Sequence, residues 1–210
     1  MNLSFKQYRA IDLVIMLVIL AAAEALITHA ATVWFPNEMY VLSPTVAIVC
    51  IVMMRWGGFA AIHAAGGGLA LCLASGAGLN QIAVYCIGNC FALLALIPLM
   101  ALGKEKVRSK YWLTVLFTVV AFCGAQIGRW LVGLFFGGSA SDIVTFFTTD
   151  SLSLVFALLI VLIARRVNGL FEDQLAYLKR TQAERNKQQI PDYGDTEYGE
   201  GSDMYNIEDN

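Results

Sequence analysis

The stretch Gly124–Gly133 reads GAQIGRWLVG and places one arginine, Arg129, inside an apolar run that is long enough to cross a bilayer. A charge at mid-membrane depth costs about 2.5–3.5 kcal/mol on insertion scales, so it is normally paired and normally functional. Gln126, Arg129 and Trp130 stand at i, i+3 and i+4 and therefore share one helix face. The stretch predicts a membrane-spanning helix with one polar face.

The composition of the whole chain is typical of an integral membrane protein. Of its 210 residues, 58% are hydrophobic and 14% are charged, and the mean hydropathy is +0.65. A soluble domain of this length does not need so many apolar residues to fill one core. The net charge of the chain is −2, but residues 191–210 form an acidic tail. The rest of the chain is therefore slightly basic. Such an excess reflects membrane topology and does not indicate nucleic acid as a partner.

Six apolar segments predict an all-α fold with six transmembrane helices, at residues 11–35, 42–56, 58–75, 79–102, 111–136 and 143–163. Lys and Arg residues precede the first segment, lie at the end of the second (Arg55), and follow the fourth and sixth. If the chain crosses the bilayer six times, these basic residues all lie on the same side of the membrane. The positive-inside rule identifies that side as the cytoplasm. The sequence therefore predicts a multi-pass protein of the plasma membrane, embedded in its lipid bilayer, with both termini in the cytoplasm.

The chain divides into three predicted parts. Residues 1–167 form the six-helix transmembrane domain, and residues 168–190 form a cytosolic or interfacial helix with leucines between charges. Residues 191–210 mix acidic, glycine and polar residues that cannot bury enough apolar surface to offset ordering, so a disordered tail is expected.

Polar residues inside the predicted spans lie at one depth. At about 1.5 Å per helical residue, Arg129 and Asp150 lie roughly 10–12 Å below the outer ends of their spans, and Glu24 and Asn89 about 15 Å. The inner halves are almost purely apolar apart from His63. This one-sided pattern predicts an outward-facing pocket that is closed toward the cytoplasm. The predicted substrate-binding residues are Glu24, Trp34, Asn37, Tyr85, Asn89, Gln126, Arg129, Trp130 and Asp150.

Two interpretations of Arg129 remain open from the sequence. Its planar guanidinium can form two parallel hydrogen bonds and so can hold a carboxylate or another electron-rich group of a substrate. Alternatively, Arg129 forms an ion pair with Asp150 or Glu24 that fixes helix packing.

Catalytic and metal-binding motifs are missing from the sequence. The five cysteines lie in apolar stretches without metal-like spacing to His, and we interpret them as small hydrophobes. Because no HExxH motif and no nucleophilic serine with a usable His occur, we expect neither an enzyme nor a metal or cofactor site. A channel is disfavoured because the inner halves of the spans lack a polar lining.

Small residues supply a last pattern. Ala21 and Ala25 are spaced for close helix contact in AAAEA, and LSPTVAIVCIVMMRWGGFAAIHAAGGGLA joins a proline-led helix to a Gly/Ala-rich helix through a glycine turn. In these features, in length and in predicted topology, residues 11–167 resemble the substrate-capturing S components of energy-coupling factor (ECF) vitamin transporters.

The resemblance implies that the outer half of the bundle binds a small polar nutrient, a vitamin or vitamin precursor. It also implies that Ala21 and Ala25 contact a transmembrane coupling subunit, which two cytosolic ATPases drive. The chain itself has no G-x-x-x-x-G-K-[ST] motif, so ATP hydrolysis would reside in those partners. The alternative is a six-span scaffold protein of cell-envelope machinery, which has little use for four buried polar groups at one depth.

The predicted topology can be tested by labelling single cysteines in a chain whose native cysteines have been replaced. We expect cysteines at Asn37, Gly78 and Ser139 to react in intact cells with a thiol reagent that cannot cross the membrane. A cysteine at Ser109, among the basic residues, should stay unlabelled because that connection is cytoplasmic. Labelling of Ser109 in sealed cells would contradict the six-span arrangement.

Overall fold

The computed structural model describes residues 5–35 and 41–189, so Asn37 and the predicted acidic tail lie outside the described residues. The described part of the chain is helical and contains no strand, which confirms the all-α prediction. The α-helices are α1 (Phe5–Trp34), α2 (Thr45–Trp56), α3 (Ala60–Ser75), α4 (Leu79–Asn89), α5 (Leu96–Leu102), α6 (Lys104–Ser109), α7 (Tyr111–Phe135), α8 (Asp142–Thr149), α9 (Ser151–Ala164) and α10 (Gln174–Gln189). A 3-10 turn, Gly57–Phe59, links α2 to α3, and a 3-10 segment, Cys90–Ala95, links α4 to α5.

Several helical stretches in the described residues are long and apolar enough to cross a membrane. Four qualify singly, namely Phe5–Trp34, Thr45–Ser75, Leu79–Leu102 and Tyr111–Phe135, and a fifth arises if α8 and α9, bent by 45°, form one span. Apolar side chains also face outward at helical spacing, among them Val14, Val18, Val155 and Leu159. Outward-facing apolar stripes of this kind are typical of helices in lipid. The count of six crossings and the cytoplasmic side of both termini stay predictions.

The apolar stretch Thr45–Ser75 turns back on itself at Gly57. Gly57 has φ +62°, a left-handed value that favours glycine, and it ends α2. Thr45, the first residue of α2, lies close to Gly67 of α3, where an added Cβ would collide with the Thr45 side chain. The start of α2 therefore lies against the middle of α3, and the two helices run antiparallel, side by side.

Helix α2 forms the centre of the bundle. Ten of its 12 residues are buried, and it packs against α1, α3, α7 and α9. A helix that is surrounded on all sides needs apolar residues on all its faces, which is what VAIVCIVMM supplies. The buried core around it includes Met53 and Met54 of α2, Ala121 and Phe122 of α7, and Ala157 and Val161 of α9.

Polar contacts hold together the end of the bundle where α1 begins and α2 ends. Arg55 forms an ion pair with Asp12 at 2.6 Å and also donates to the carbonyl oxygens of Gly169 and Leu170. The segment after α9 packs here through Phe171, which is fully buried. Two further ion pairs join α6 to this segment, Lys104 to Asp173 at 2.6 Å and Arg108 to Glu172 at 2.5 Å.

The Asp173 carboxylate lies at the start of α10 and also accepts hydrogen bonds from the backbone amides of Leu175 and Ala176. Partial burial acts to raise the pKa of this carboxyl group. The hydrogen bonds from Lys104 and from the two amides outweigh burial and hold the pKa below its ordinary value. Asp173 therefore stays charged and keeps the segment after α9 attached to α6.

Glycines bring the backbones of α4 and α7 into direct contact. A Cβ added to Gly88 would lie 2.6 Å from the Cα and amide nitrogen of Arg129, and one added to Gly128 would collide with the Gly88 carbonyl oxygen and with Phe91. Small residues at such positions let membrane helices approach closely. This approach carries the Arg129 side chain to the polar residues of α4.

Replacing Gly128 by alanine should destabilise the protein by about 1–3 kcal/mol, the usual cost of overpacking a tight contact. The control is Gly133→Ala on the same helix, where an added Cβ meets nothing within 4 Å. Because glycine in a helix interior costs about 1 kcal/mol relative to alanine, the control should be neutral or slightly stabilising. The melting temperatures of both variants in detergent measure the difference, and equal values would contradict the close α4–α7 contact.

Candidate functional site: a cavity beside a buried ion-pair network

Arg129 is paired within the protein. Its Nη1 donates to Asp150 Oδ2 in an ion pair, and both residues are about 1% exposed. Its Nε donates to Asn89 Oδ1 at 2.7 Å, and Nη1 also donates to Gln126 Oε1 at 3.3 Å. Gln126 Nε2 donates in turn to Asp150 Oδ2 at 2.9 Å. We call Asn89, Gln126, Arg129 and Asp150 the Arg129 network.

Three parts of the fold position this network. Gln126 and Arg129 lie one turn apart on α7, as their spacing predicted, and Asn89 lies at the end of α4. Asp150 occupies the bend between α8 and α9, where the helix is interrupted and the side chain reaches α7. The ring of Tyr85, one turn before Asn89, lies against the guanidinium, with 4.4 Å between Arg129 Cζ and the ring centroid.

Glu24 makes separate contacts. It is fully buried, and its Oε1 accepts hydrogen bonds from the hydroxyl groups of Ser43 and Thr45, the latter at 2.5 Å. The second carboxylate oxygen, Oε2, has no hydrogen-bond partner among the described residues. Glu24 thus ties α1 to the start of α2. It lies within electrostatic reach of Arg129 without forming a salt bridge to it in the described part of the chain.

A cavity of about 860 Å³ lies beside these polar groups. It is formed by the C-terminal ends of α1 and α3, the start of α4, the chain just before α2 and the start of α9. Its lining residues are Ile27, Thr28, Ala30, Ala31, Thr32, Trp34, Phe35, Val41, Leu42, Leu71, Cys72, Ser75, Gln81, Tyr85 and Leu152. All the described lining residues are uncharged, and Tyr85 links the cavity to the Arg129 network.

A second cavity of about 290 Å³ lies between α4, α7 and α8. Trp130, Asn80 and Asp142 line it, and Gln81 and Tyr85 line both cavities. The Trp130 indole N–H is buried and has no partner among the described residues.

The predicted site residues therefore fall into separate groups. Trp34 and Tyr85 line the larger cavity and Trp130 the smaller one, whereas the four residues of the Arg129 network pair with one another. Glu24 is buried between α1 and α2, and Asn37 lies outside the described residues. Contact of these residues with a substrate stays a prediction.

Sequence reasoning missed Thr28 as a site residue. Thr28 lines the larger cavity, its hydroxyl oxygen is buried, and that oxygen has no hydrogen-bond partner among the described residues. The sequence feature that could have indicated Thr28 is its position four residues after Glu24, on the same face of α1.

A metal site is not formed within residues 5–35 and 41–189, where no group of three or more His, Cys, Asp or Glu side chains is placed to hold an ion. The chain matches no protein-family model, no curated protein and no solved structure. The site is therefore interpreted from its own geometry.

Replacing Arg129 by methionine should destabilise the ligand-free protein, because Asp150 would remain buried without a counter-charge. Removing one partner of a buried pair typically costs about 3–5 kcal/mol. The double variant Arg129→Met, Asp150→Leu removes both charges and should recover most of this loss. Thermal unfolding of the wild type and the variants in detergent measures the effect. An unchanged melting temperature for Arg129→Met would contradict the packing role, and loss of ligand binding in the stable double variant would support direct substrate contact.

Proposed function

We propose that this chain is the substrate-binding S component of an ECF-type transporter, which captures a small polar nutrient outside the cell for ATP-driven uptake by partner subunits. The observation that carries the proposal is the cavity of about 860 Å³. Small-molecule sites typically occupy about 300–1,000 Å³ and combine apolar and aromatic walls with a few polar groups. Here Thr28, Ser75, Gln81 and Tyr85 supply the polar groups in a largely apolar lining.

The proposed topology has six crossings with both termini in the cytoplasm. It counts α1, α2, α3, the α4–α5 stretch, α7 and the bent α8–α9 pair as one crossing each. The antiparallel arrangement of α2 and α3 supports this count, because it separates the single apolar stretch Thr45–Ser75 into two helices. In this topology the cavity faces the outside, because the elements that line it all meet at the end opposite Arg55 and its ion pairs.

The proposed partners are a transmembrane coupling subunit and two cytosolic ATPases. Helix α1 offers the surface for the coupling subunit, because only Leu20, Glu24 and Thr28 of its 30 residues are buried. Ala25 is exposed and Ala21 is partly buried on this helix. Small side chains there leave room for the backbone of a partner helix.

One observation favours the alternative of a scaffold protein. The charged and amide groups of the Arg129 network bond to one another, so this layer of polar residues can be explained by helix packing alone. The cavity distinguishes the transporter subunit from the scaffold protein, since a scaffold has no need for a ligand-sized space next to polar groups.

The proposed function is tested by identifying small molecules that co-purify with the protein, using mass spectrometry. We expect one compound to be enriched with the wild type and lost from Ala31→Trp, because the larger side chain fills the cavity that Ala31 lines. Val33→Trp is the matched control on α1, since Val33 is 59% exposed and does not line the cavity. Added compound should raise the melting temperature of the wild type and of the control only.

The scaffold alternative predicts a different result. No compound would be enriched with the wild type, and Ala31→Trp and Val33→Trp would behave alike.

A further inference from the structure

We propose that the cavity binds an organic cation, with a flat apolar body and a positively charged nitrogen that lies at Thr28 and is attracted by the buried carboxylate of Glu24, one helical turn away. The inference rests on the proposed function, because it names the substrate class of that same site.

The first argument is the balance of buried charge. Arg129 is neutralised by Asp150, and its Nε and Nη1 donate to Asn89, Gln126 and Asp150. Glu24 accepts hydrogen bonds from Ser43 and Thr45, which are both uncharged, and no salt bridge within residues 5–35 and 41–189 neutralises it. Among the described residues, Glu24 is therefore a buried acid one helical turn from the cavity lining without a salt-bridge partner. A cation in the cavity would supply the missing charge in surroundings where water screens it poorly.

The second argument is the set of unused acceptor atoms near Glu24. Oε2 of Glu24 and Oγ1 of Thr28 are both buried and have no hydrogen-bond partner among the described residues. Thr28 lines the cavity, is 8% exposed and lies about 6 Å from Glu24 along the helix axis. Leu42, next to Ser43, lines the same cavity. Buried acceptors without donors are costly, and the N–H groups of a charged nitrogen would satisfy them.

The third argument is the chemistry of the walls. The described lining residues include no Lys, Arg or His, so a carboxylate or phosphate in the cavity would find no cationic partner among them. Leu42, Leu71 and Leu152 form apolar surface, and Trp34 and Tyr85 add aromatic rings. Such walls suit a flat apolar body.

Three probes with the same indole ring test the charge preference: tryptamine is a cation, tryptophol is neutral, and indole-3-acetate is an anion. Their binding to the purified full-length protein is measured by calorimetry at neutral pH. We expect tryptamine to bind at least about tenfold more tightly than indole-3-acetate, with tryptophol between them. Equal binding of the three probes, tighter binding of the anion, or no binding of tryptamine at millimolar concentration would overturn the proposal.

The role of Glu24 is tested with Glu24→Gln, which keeps the acceptor for Ser43 and Thr45 and removes the charge. Tryptamine affinity should fall about tenfold to a hundredfold, the order expected when one nearby opposite charge is removed at an effective dielectric constant of about 20. Glu105→Gln, the same change at an exposed site on α6, should have no effect. If Glu24→Gln does not fold, tryptamine binding to Thr28→Val tests the proposal instead. This variant removes a hydroxyl group that has no hydrogen-bond partner among the described residues. Unchanged tryptamine affinity in Thr28→Val would then overturn the proposal.

Failure of this inference is distinguishable from failure of the proposed function. A co-purifying compound that is anionic or neutral, and that Ala31→Trp excludes, would overturn the organic-cation site and still support a nutrient-binding protein. Absence of any co-purifying compound, together with no binding of the three probes, would count against both.

Discussion

The ion pair between Arg129 and Asp150 is the contact on which the arrangement of α4, α7 and the α8–α9 bend depends. Two charges in an apolar bundle are tolerable only when each meets the other and the remaining hydrogen-bonding groups are largely satisfied. Asn89 and Gln126 provide these contacts, so one buried arginine joins α4, α7 and the α8–α9 bend. The network in turn requires the α4 and α7 backbones to touch, which the glycines at 88 and 128 allow.

With Arg129 occupied in this way, the Arg129 network and the lining of the larger cavity are neighbouring groups of residues. The network holds the helices, and the cavity beside it is lined by uncharged side chains from α1, α3, α4 and α9. Tyr85 belongs to both, because its ring contacts the guanidinium and also lines the cavity. Glu24 is a buried acid of α1 that lies outside the network and accepts hydrogen bonds from Ser43 and Thr45.

The two ends of the bundle differ for physical reasons. At one end, ion pairs from Asp12, Arg55, Lys104 and Arg108, together with the buried ring of Phe171, close the space between the helices. At the other end, the C-terminal ends of α1 and α3 and the starts of α4 and α9 surround the larger cavity. The ion pair of Asp12 with Arg55 and the larger cavity therefore lie at opposite ends of α1 and α2.

The sequence by itself determined the helical class and the polar faces of individual helices. Hydropathy and the 3.6-residue period are local properties, so Gln126 and Arg129 could be assigned to one face of α7 before the fold was known. Residue spacing does not show which faces meet. Only the tertiary structure decided that Arg129 pairs with Asp150 and not with Glu24, because the bend between α8 and α9 turns Asp150 toward α7. The cavity was likewise set by packing: Thr28, Gln81 and Leu152 are far apart in the chain, and helix contacts alone bring them around one space.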